Sequence, residues 1–79
     1  MTNKELLYQA FSSALNIELN QVKPDLTYNT IAEWDSTAHM ILIAEIEGVF
    51  DVMLDTDDII DMSSVQKAQE ILQKYDVAF

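Results

Sequence analysis

The chain has 79 residues, with 14 Asp and Glu against 4 Lys and Arg, so its net charge is −10, and it contains no cysteine. This length allows one domain, which we predict to span residues 1–79 with its core at about residues 3–75. The absence of cysteine excludes disulfides and zinc–thiolate sites. A single Gly and a single Pro argue against an all-β fold and against Gly-rich phosphate-binding loops.

The acidic residues are concentrated in the middle of the sequence. Residues 24–66 contain ten Asp and Glu and no Lys or Arg, so this segment carries the entire net charge. Such a field repels nucleic acid and anionic lipid and attracts basic protein partners. The longest apolar run, residues 40–44, is far shorter than a membrane-spanning helix, and the first residues lack the apolar segment of a signal peptide. We therefore expect a soluble cytoplasmic monomer that inserts into no membrane and binds no nucleic acid.

The first helix is predicted over residues 3–15, because apolar residues recur there on one helical face: Leu6, Leu7, Ala10, Phe11, Ala14 and Leu15. Thr2 or Asn3 can cap its start, and Asn16 suits a left-handed stop at its end. Residues 17–35 show no sustained helical period, and Pro24 interrupts any helix there. Because apolar residues are spread along this long loop, we expect it to pack against the helices.

A second helix is predicted to start at Asp35 or Ser36 and to end near Phe50. At about 100° per residue, one face of this helix should meet the core: His39, Leu42, Ile43, Ile46, Val49 and Phe50. The opposite face is a stripe of small and uncharged residues: Thr37, Ile41, Ala44 and Gly48. Core packing does not explain this second stripe, which Glu45 and Glu47 flank.

The last third of the chain predicts a short helix and a longer one. The short helix should start at Asp55 or Thr56, with acidic residues at the positive end of its dipole, and the last helix should cover residues 65–75. Residues 76–79 are expected to be a frayed tail. The sequence thus predicts an all-α four-helix bundle of three main helices and one short helix, with a long loop between helices 1 and 2.

Few residues offer catalytic or metal chemistry. A hydrolase would need Ser36, His39 and Asp35 to form a hydrogen-bonded chain, which neighbours on one helix rarely do. His39 is instead expected to be a partly buried helix residue. The acidic cluster after Phe50 departs from the EF-hand pattern, so a solvated acidic face is favoured over a metal site.

Ser36 itself has two interpretations. Its hydroxyl could cap the second helix, as serine often does at a helix start. The same place also favours a bound phosphodiester, because free backbone N–H groups and the helix dipole attract an anion.

At this point the sequence resembles the acyl carrier protein family. Trp34-Asp35-Ser36 opens a helix of apolar and acidic residues that ends in IEGVFD at residues 46–51. The first-helix pattern, the long loop, DDII at residues 57–60 and the helix start at residues 64–65 match the family in order and spacing. The resemblance covers nearly the whole chain.

This resemblance implies a carrier protein rather than an enzyme. Ser36, next to Asp35, would bear 4′-phosphopantetheine, installed by a phosphopantetheinyl transferase. Acyl intermediates would be held on that arm as thioesters and presented to acyl-transferring or synthase enzymes with basic docking surfaces. The implied partner-binding residues are Thr37, Met40, Ile41, Ala44, Glu45, Glu47, Gly48, Asp57 and Asp58. Candidates to line an acyl pocket are Tyr28, Leu42, Ile46, Leu54, Ile59, Met62, Ala68 and Leu72.

Four positions depart from a primary fatty-acid carrier. Thr37 stands where the family usually has Leu, Ile41 and Gly48 where Glu is common, and Trp34 where a small residue is common. These departures favour a specialised lipid, polyketide or secondary-metabolite, or cell-surface glycan pathway. Trp34 itself is expected to be a packed loop anchor. The alternative function is an acidic helical adaptor or inhibitor that binds a basic protein surface, with Ser36 as a helix cap.

Overall fold

The computed structural model describes residues 1–79 and is all-helical. Its four α-helices are α1 (Asn3–Leu15), α2 (Ser36–Phe50), α3 (Thr56–Asp61) and α4 (Val65–Gln73). A short 3-10 helix at Leu19–Gln21 lies between α1 and α2. The predicted all-α bundle of three main helices and one short helix is confirmed. None of these helices combines the length and apolar character that crossing a bilayer requires.

Local sequence signals set the helix ends. The Thr2 hydroxyl accepts the Glu5 backbone N–H, and the Glu5 carboxylate accepts the N–H of Thr2, which makes a reciprocal capping box. Asn16 ends α1 in the left-handed conformation, and Asp51 ends α2 in the same way. The Ser64 hydroxyl caps α4 by accepting the Lys67 N–H.

The long loop between α1 and α2 is packed down, as predicted. Trp34 is completely buried and meets Phe11 of α1 edge to face, with ring centroids 5.3 Å apart. The loop also joins the start of α4, because the Leu26 carbonyl accepts the Val65 N–H. These contacts fix the segment that leads into α2.

The core is a single cluster of 17 buried apolar residues drawn from the helices, the long loop and the tail. Its largest completely buried side chains include Trp34, Phe11 and Leu42. On the predicted core face of α2, Leu42, Ile43 and Ile46 are buried, whereas Val49 is 38% exposed. The predicted inward position of Val49 is therefore wrong.

The carboxyl terminus differs from the sequence prediction in two ways. Helix α4 ends at Gln73 instead of residue 75, because Tyr75 already donates its N–H to the Leu72 carbonyl in a tighter turn. The last residues are packed rather than frayed. Val77 is buried, and the Phe79 ring meets Phe50 edge to face at 6.2 Å. The left-handed conformation of residue 76 turns the chain back onto the bundle.

Candidate functional site

At the start of α2, one residue caps the helix and the next one exposes its hydroxyl. Asp35 is the helix cap, because its carboxylate accepts the Ala38 N–H at 2.9 Å. Ser36 is the first helical residue, is exposed, and caps nothing. Its Oγ lies 3.0 Å from the Tyr28 hydroxyl, which is its hydrogen-bond partner. The choice between Asp35 and Ser36 as cap is therefore decided in favour of Asp35.

This position leaves the Ser36 hydroxyl available for covalent chemistry at the positive end of a fifteen-residue helix. The first backbone N–H groups of such a helix have no acceptor within it. An anion attached to Ser36 Oγ would lie beside these groups, and both the N–H donors and the dipole would stabilise it.

Behind Ser36, three residues form what we call the His39 bridge, made of Trp34, His39 and Ile59. The Trp34 indole N–H donates to His39 Nδ1 at 3.0 Å. Neutral His39 therefore carries its proton on Nε2, which lies 2.9 Å from the Ile59 carbonyl oxygen and donates to it. The bridge joins the end of the long loop to α2 and α3.

The His39 bridge also argues against the serine hydrolase alternative. Both ring nitrogens of His39 are engaged by Trp34 and Ile59, whereas Ser36 bonds to Tyr28. No nucleophile–base–acid chain connects these side chains, as a serine hydrolase would need. His39 is half-buried, as the sequence predicted.

An open cleft of about 370 Å³ lies directly beside Ser36. We call it the outer cleft, and its lining residues are Tyr28, Ser36, His39, Met40, Ile59, Ile60, Met62 and Ser63. Three of the eight predicted pocket residues therefore line it, namely Tyr28, Ile59 and Met62. The other five lie in the closed core at no more than 6% exposure: Leu42, Ile46, Leu54, Ala68 and Leu72.

Sequence reasoning did not assign His39, Ile60 or Ser63 to this cleft, and it assigned Met40 only to partner binding. Helical spacing could have placed His39 and Met40 there, because residues three and four positions after Ser36 share its face of α2. Ile60 and Ser63 could not be found in this way, because they come from α3 and the link that follows it.

Most of the predicted partner-binding residues lie on the surface. We call the exposed set the docking face, and its residues are Thr37, Met40, Ile41, Ala44, Glu45, Gly48 and Asp57. Its apolar members include Met40 and Ile41, which are 59% and 53% exposed.

Two acidic residues expected on the same face are placed differently. Glu47 is half-buried, and its carboxylate accepts the Leu54 N–H at 2.9 Å. Asp58 is only 8% exposed, with its two oxygens 2.6 Å from Lys74 Nζ and 2.6 Å from the Tyr75 hydroxyl. The structure thus corrects the expected exposure of Asp58, because its carboxylate joins α3 to the end of α4.

The contacts of Asp58 shift the pKa values of all three groups. The hydrogen bond from Lys74, followed by that from Tyr75, lowers the pKa of the Asp58 carboxyl. The same hydrogen bonds raise the pKa of the Lys74 ammonium and the pKa of the Tyr75 hydroxyl. All three shifts favour the charged Asp58–Lys74 pair with a protonated Tyr75.

Comparison with known proteins agrees with this geometry. No protein-family model matches the chain. The chain is 31% identical, over 71 residues, to an acyl carrier protein of Chlorobium phaeobacteroides (strain DSM 266 / SMG 266 / 2430). The matched region covers 90% of this chain and 91% of that protein, so it includes the long loop and the start of α2. On this evidence the chain belongs to the acyl carrier protein family.

Proposed function

We propose that the protein is an acyl carrier whose Ser36 hydroxyl bears 4′-phosphopantetheine through a phosphodiester. The observation that carries this proposal is the exposed Ser36 side chain, which lines the outer cleft. Its hydroxyl is free because Asp35, not Ser36, caps α2. When bound, the group would supply the thiol that the chain lacks and hold an acyl group there as a thioester.

The residues around Ser36 fit such a group. Asp35 fixes the start of α2, so that the helix presents Ser36 Oγ and its free N–H groups together. The Tyr28 hydroxyl, 3.0 Å from Ser36 Oγ, is a ready donor to a phosphate oxygen attached there. The outer cleft offers an apolar surface within reach of the attachment point.

We further propose that phosphopantetheinyl transferase and acyl-transferring or synthase enzymes bind the docking face. Its apolar centre at Met40 and Ile41 supplies contact area, and Glu45 and Asp57 attract a basic surface. Each transfer requires only transient contact, so added salt should slow it by screening this attraction. The unusual Trp34 and Thr37 support a specialised lipid, polyketide or secondary-metabolite, or cell-surface glycan pathway.

The proposal is tested by intact mass spectrometry. The purified protein is incubated with coenzyme A and a broad-specificity phosphopantetheinyl transferase. Wild type should gain the mass of one phosphopantetheine group, and Ser36→Ala should gain none. Ser13→Ala, which removes an exposed serine of α1, is the matched control and should be modified like wild type. A folded wild type that several such transferases leave unmodified would refute the carrier proposal.

The alternative, an acidic adaptor or inhibitor, makes the opposite prediction for Ser36→Ala. An adaptor needs only the charged surface, so the variant should bind its basic partner with unchanged affinity. A carrier variant should stay folded and lose all transfer of acyl groups.

A further inference from the structure

The outer cleft and the core behind it are separated by the His39 bridge. Ser36, Met40 and Ile60 border the cleft on its exposed side, while His39 and Met62 lie deeper. A group tethered to Ser36 therefore enters from the exposed side and meets the His39 ring and Met62 at the inner side of the cleft.

The bridge is well fixed on both sides of the imidazole. The Trp34 and His39 rings are stacked, with 22° between their planes and centroids 6.0 Å apart. Trp34 is in turn held against Phe11 of α1 and is completely buried. On the other side, His39 donates to the main chain of α3 at Ile59, so rotating the ring would break both hydrogen bonds.

Opening the bridge has a specific energetic cost. The Trp34 side chain is completely buried, and its indole N–H has His39 Nδ1 as its hydrogen-bond acceptor. A buried donor or acceptor that loses its partner destabilises the structure more than an average hydrogen bond stabilises it. Leu42, Ile46 and Leu72 in the core are completely buried, and none of these three lines any of the four clefts in the surface.

From this arrangement we infer that an acyl group carried on the Ser36 arm stays in the outer cleft and is kept out of the core by the His39 bridge. This inference rests on the proposed function, since it concerns the cargo of the arm on Ser36. The outer cleft has a volume of about 370 Å³, which lies within the range of ligand pockets, so it can hold an acyl group beside Ser36.

The test compares acyl groups of increasing length on the whole protein. A phosphopantetheinyl transferase loads acetyl, butyryl, octanoyl and dodecanoyl arms from the corresponding coenzyme A thioesters, and intact mass confirms each product. Methyl resonances are then recorded by NMR for core residues Leu42, Ile46 and Leu72 and for cleft residues Met40 and Met62. We expect every acyl group to shift only the cleft methyls, and we expect the melting temperature not to rise with chain length.

Variants of the bridge make the test specific. His39→Leu replaces the imidazole with an apolar side chain of similar size and removes both hydrogen bonds, and His39→Ala also removes that bulk. In either variant that remains folded, the dodecanoyl group should now shift the core methyls. Tyr75→Phe loosens the contact of α3 with α4 without touching the bridge, and should behave like wild type. Core methyl shifts with a dodecanoyl group on wild type would overturn the inference.

Failure of the inference and failure of the proposed function are distinguishable. If no transferase loads Ser36, the carrier proposal fails, yet the closure of the core can still be measured. The chain has no cysteine, so Ser36→Cys introduces a single thiol at the mouth of the cleft. Alkyl methanethiosulfonates convert this thiol to mixed disulfides with release of methanesulfinate. Ethyl and dodecyl adducts that both leave the Leu42 methyls unshifted support closure, and a dodecyl-specific shift contradicts it.

Discussion

Asp35 and Ser36 show how two adjacent residues can serve one helix start in different ways. Asp35 uses its carboxylate inside the protein, on the Ala38 N–H, while the Ser36 hydroxyl faces outward toward Tyr28. The modification proposed for Ser36 therefore does not compete with the capping of α2, which Asp35 provides.

The same arrangement predicts unequal effects on stability. Asp35→Ala removes the cap of α2 and should lower the free energy of unfolding by about 1 kcal/mol. Ser36→Ala removes an exposed hydroxyl and should change it by less than about 0.5 kcal/mol. Urea denaturation of the unmodified proteins measures both values. Equal losses in the two variants would show that Ser36 also contributes to the cap.

Single residues also show where sequence reasoning stops. Helical spacing correctly placed Thr37 and Ile41 on the surface and Leu42 in the core, because periodicity reports which face of a helix is apolar. It could not place Asp58, whose partner Lys74 is sixteen residues away, nor Glu47, which bonds to a main-chain N–H beyond the end of α2. Such contacts depend on tertiary structure.

At the scale of elements, α3 is held by contacts to two different neighbours, α2 and the residues that follow α4. His39 binds the Ile59 carbonyl, while Lys74 and Tyr75 bind the Asp58 carboxylate. The Tyr75 hydroxyl also lies 3.0 Å from the backbone nitrogen of Asp55, just before α3, and accepts its N–H. A six-residue helix is too short to be stable alone, so these tertiary contacts maintain it.

The Asp58 cluster predicts how stability depends on pH. Because the pKa of Asp58 is lowered in the folded state, its contribution is present above the ordinary Asp pKa of about 4 and is lost as pH falls below it. The pKa values of Lys74 and Tyr75 are raised, so their contributions are present below about pH 10 and are lost as pH rises through their folded values.

Asp58→Asn should therefore remove stability most strongly near neutral pH. The difference in urea midpoint between wild type and this variant should shrink both at about pH 3 and at about pH 11. The reason is that the ordinary pKa values are about 4 for Asp and about 10 for Lys and Tyr. Asp57→Asn, at the exposed neighbouring position, is the control and should show no such dependence. A constant difference at all three pH values would contradict the assigned ion pair.

The packed tail predicts that the last four residues contribute to stability. Deleting residues 76–79 exposes the site of Val77 and removes the Phe79 ring from Phe50, so the free energy of unfolding should fall by about 2 kcal/mol. Met53→Ala removes an apolar side chain that is already 85% exposed and should have little effect. Chemical denaturation of both variants makes the comparison, and an unaffected deletion variant would mean that the tail is frayed in solution.

Most helix boundaries could be predicted because their signals are local. Thr2, Asn16 and Ser64 act within one turn of the residue they bond, so the sequence around each one is enough. The tail could not be predicted in this way. Its Val77 belongs to the same core as α1 and α2, and Asn3 donates to the Ala78 carbonyl across 75 positions of sequence.

For the molecule as a whole, the excess of negative charge is only partly balanced in space. Of the ten acidic residues in 24–66, Asp58 pairs with Lys74, and Asp61 lies 3.5 Å from Lys67, which leaves 10 − 2 = 8 without a cation. No group of three or more acidic or histidine side chains is close enough together to hold a metal ion. The repulsion is thus spread over the surface.

Added salt should therefore stabilise the protein by screening. Each kcal/mol of repulsion removed should raise the melting temperature by about 4–8 °C for a domain of this size. Sodium and magnesium chloride at equal ionic strength should act alike, because screening needs no specific site. A calorimetric melting temperature that does not change with salt would show that the acidic groups scarcely repel one another. A larger effect of magnesium would instead show that a cation site forms.

The indole that holds His39 belongs to the only tryptophan of the chain. This tryptophan fluorophore is completely buried and therefore shielded from water, and it lies two residues before Ser36. Any partner that separates α2 from α3 must break the hydrogen bond from His39 to the Ile59 carbonyl, on the imidazole that the indole contacts, and should change the emission. Stopped-flow fluorescence of the unlabelled protein can therefore time the moment at which an enzyme opens the carrier, separately from the moment at which the cargo is transferred.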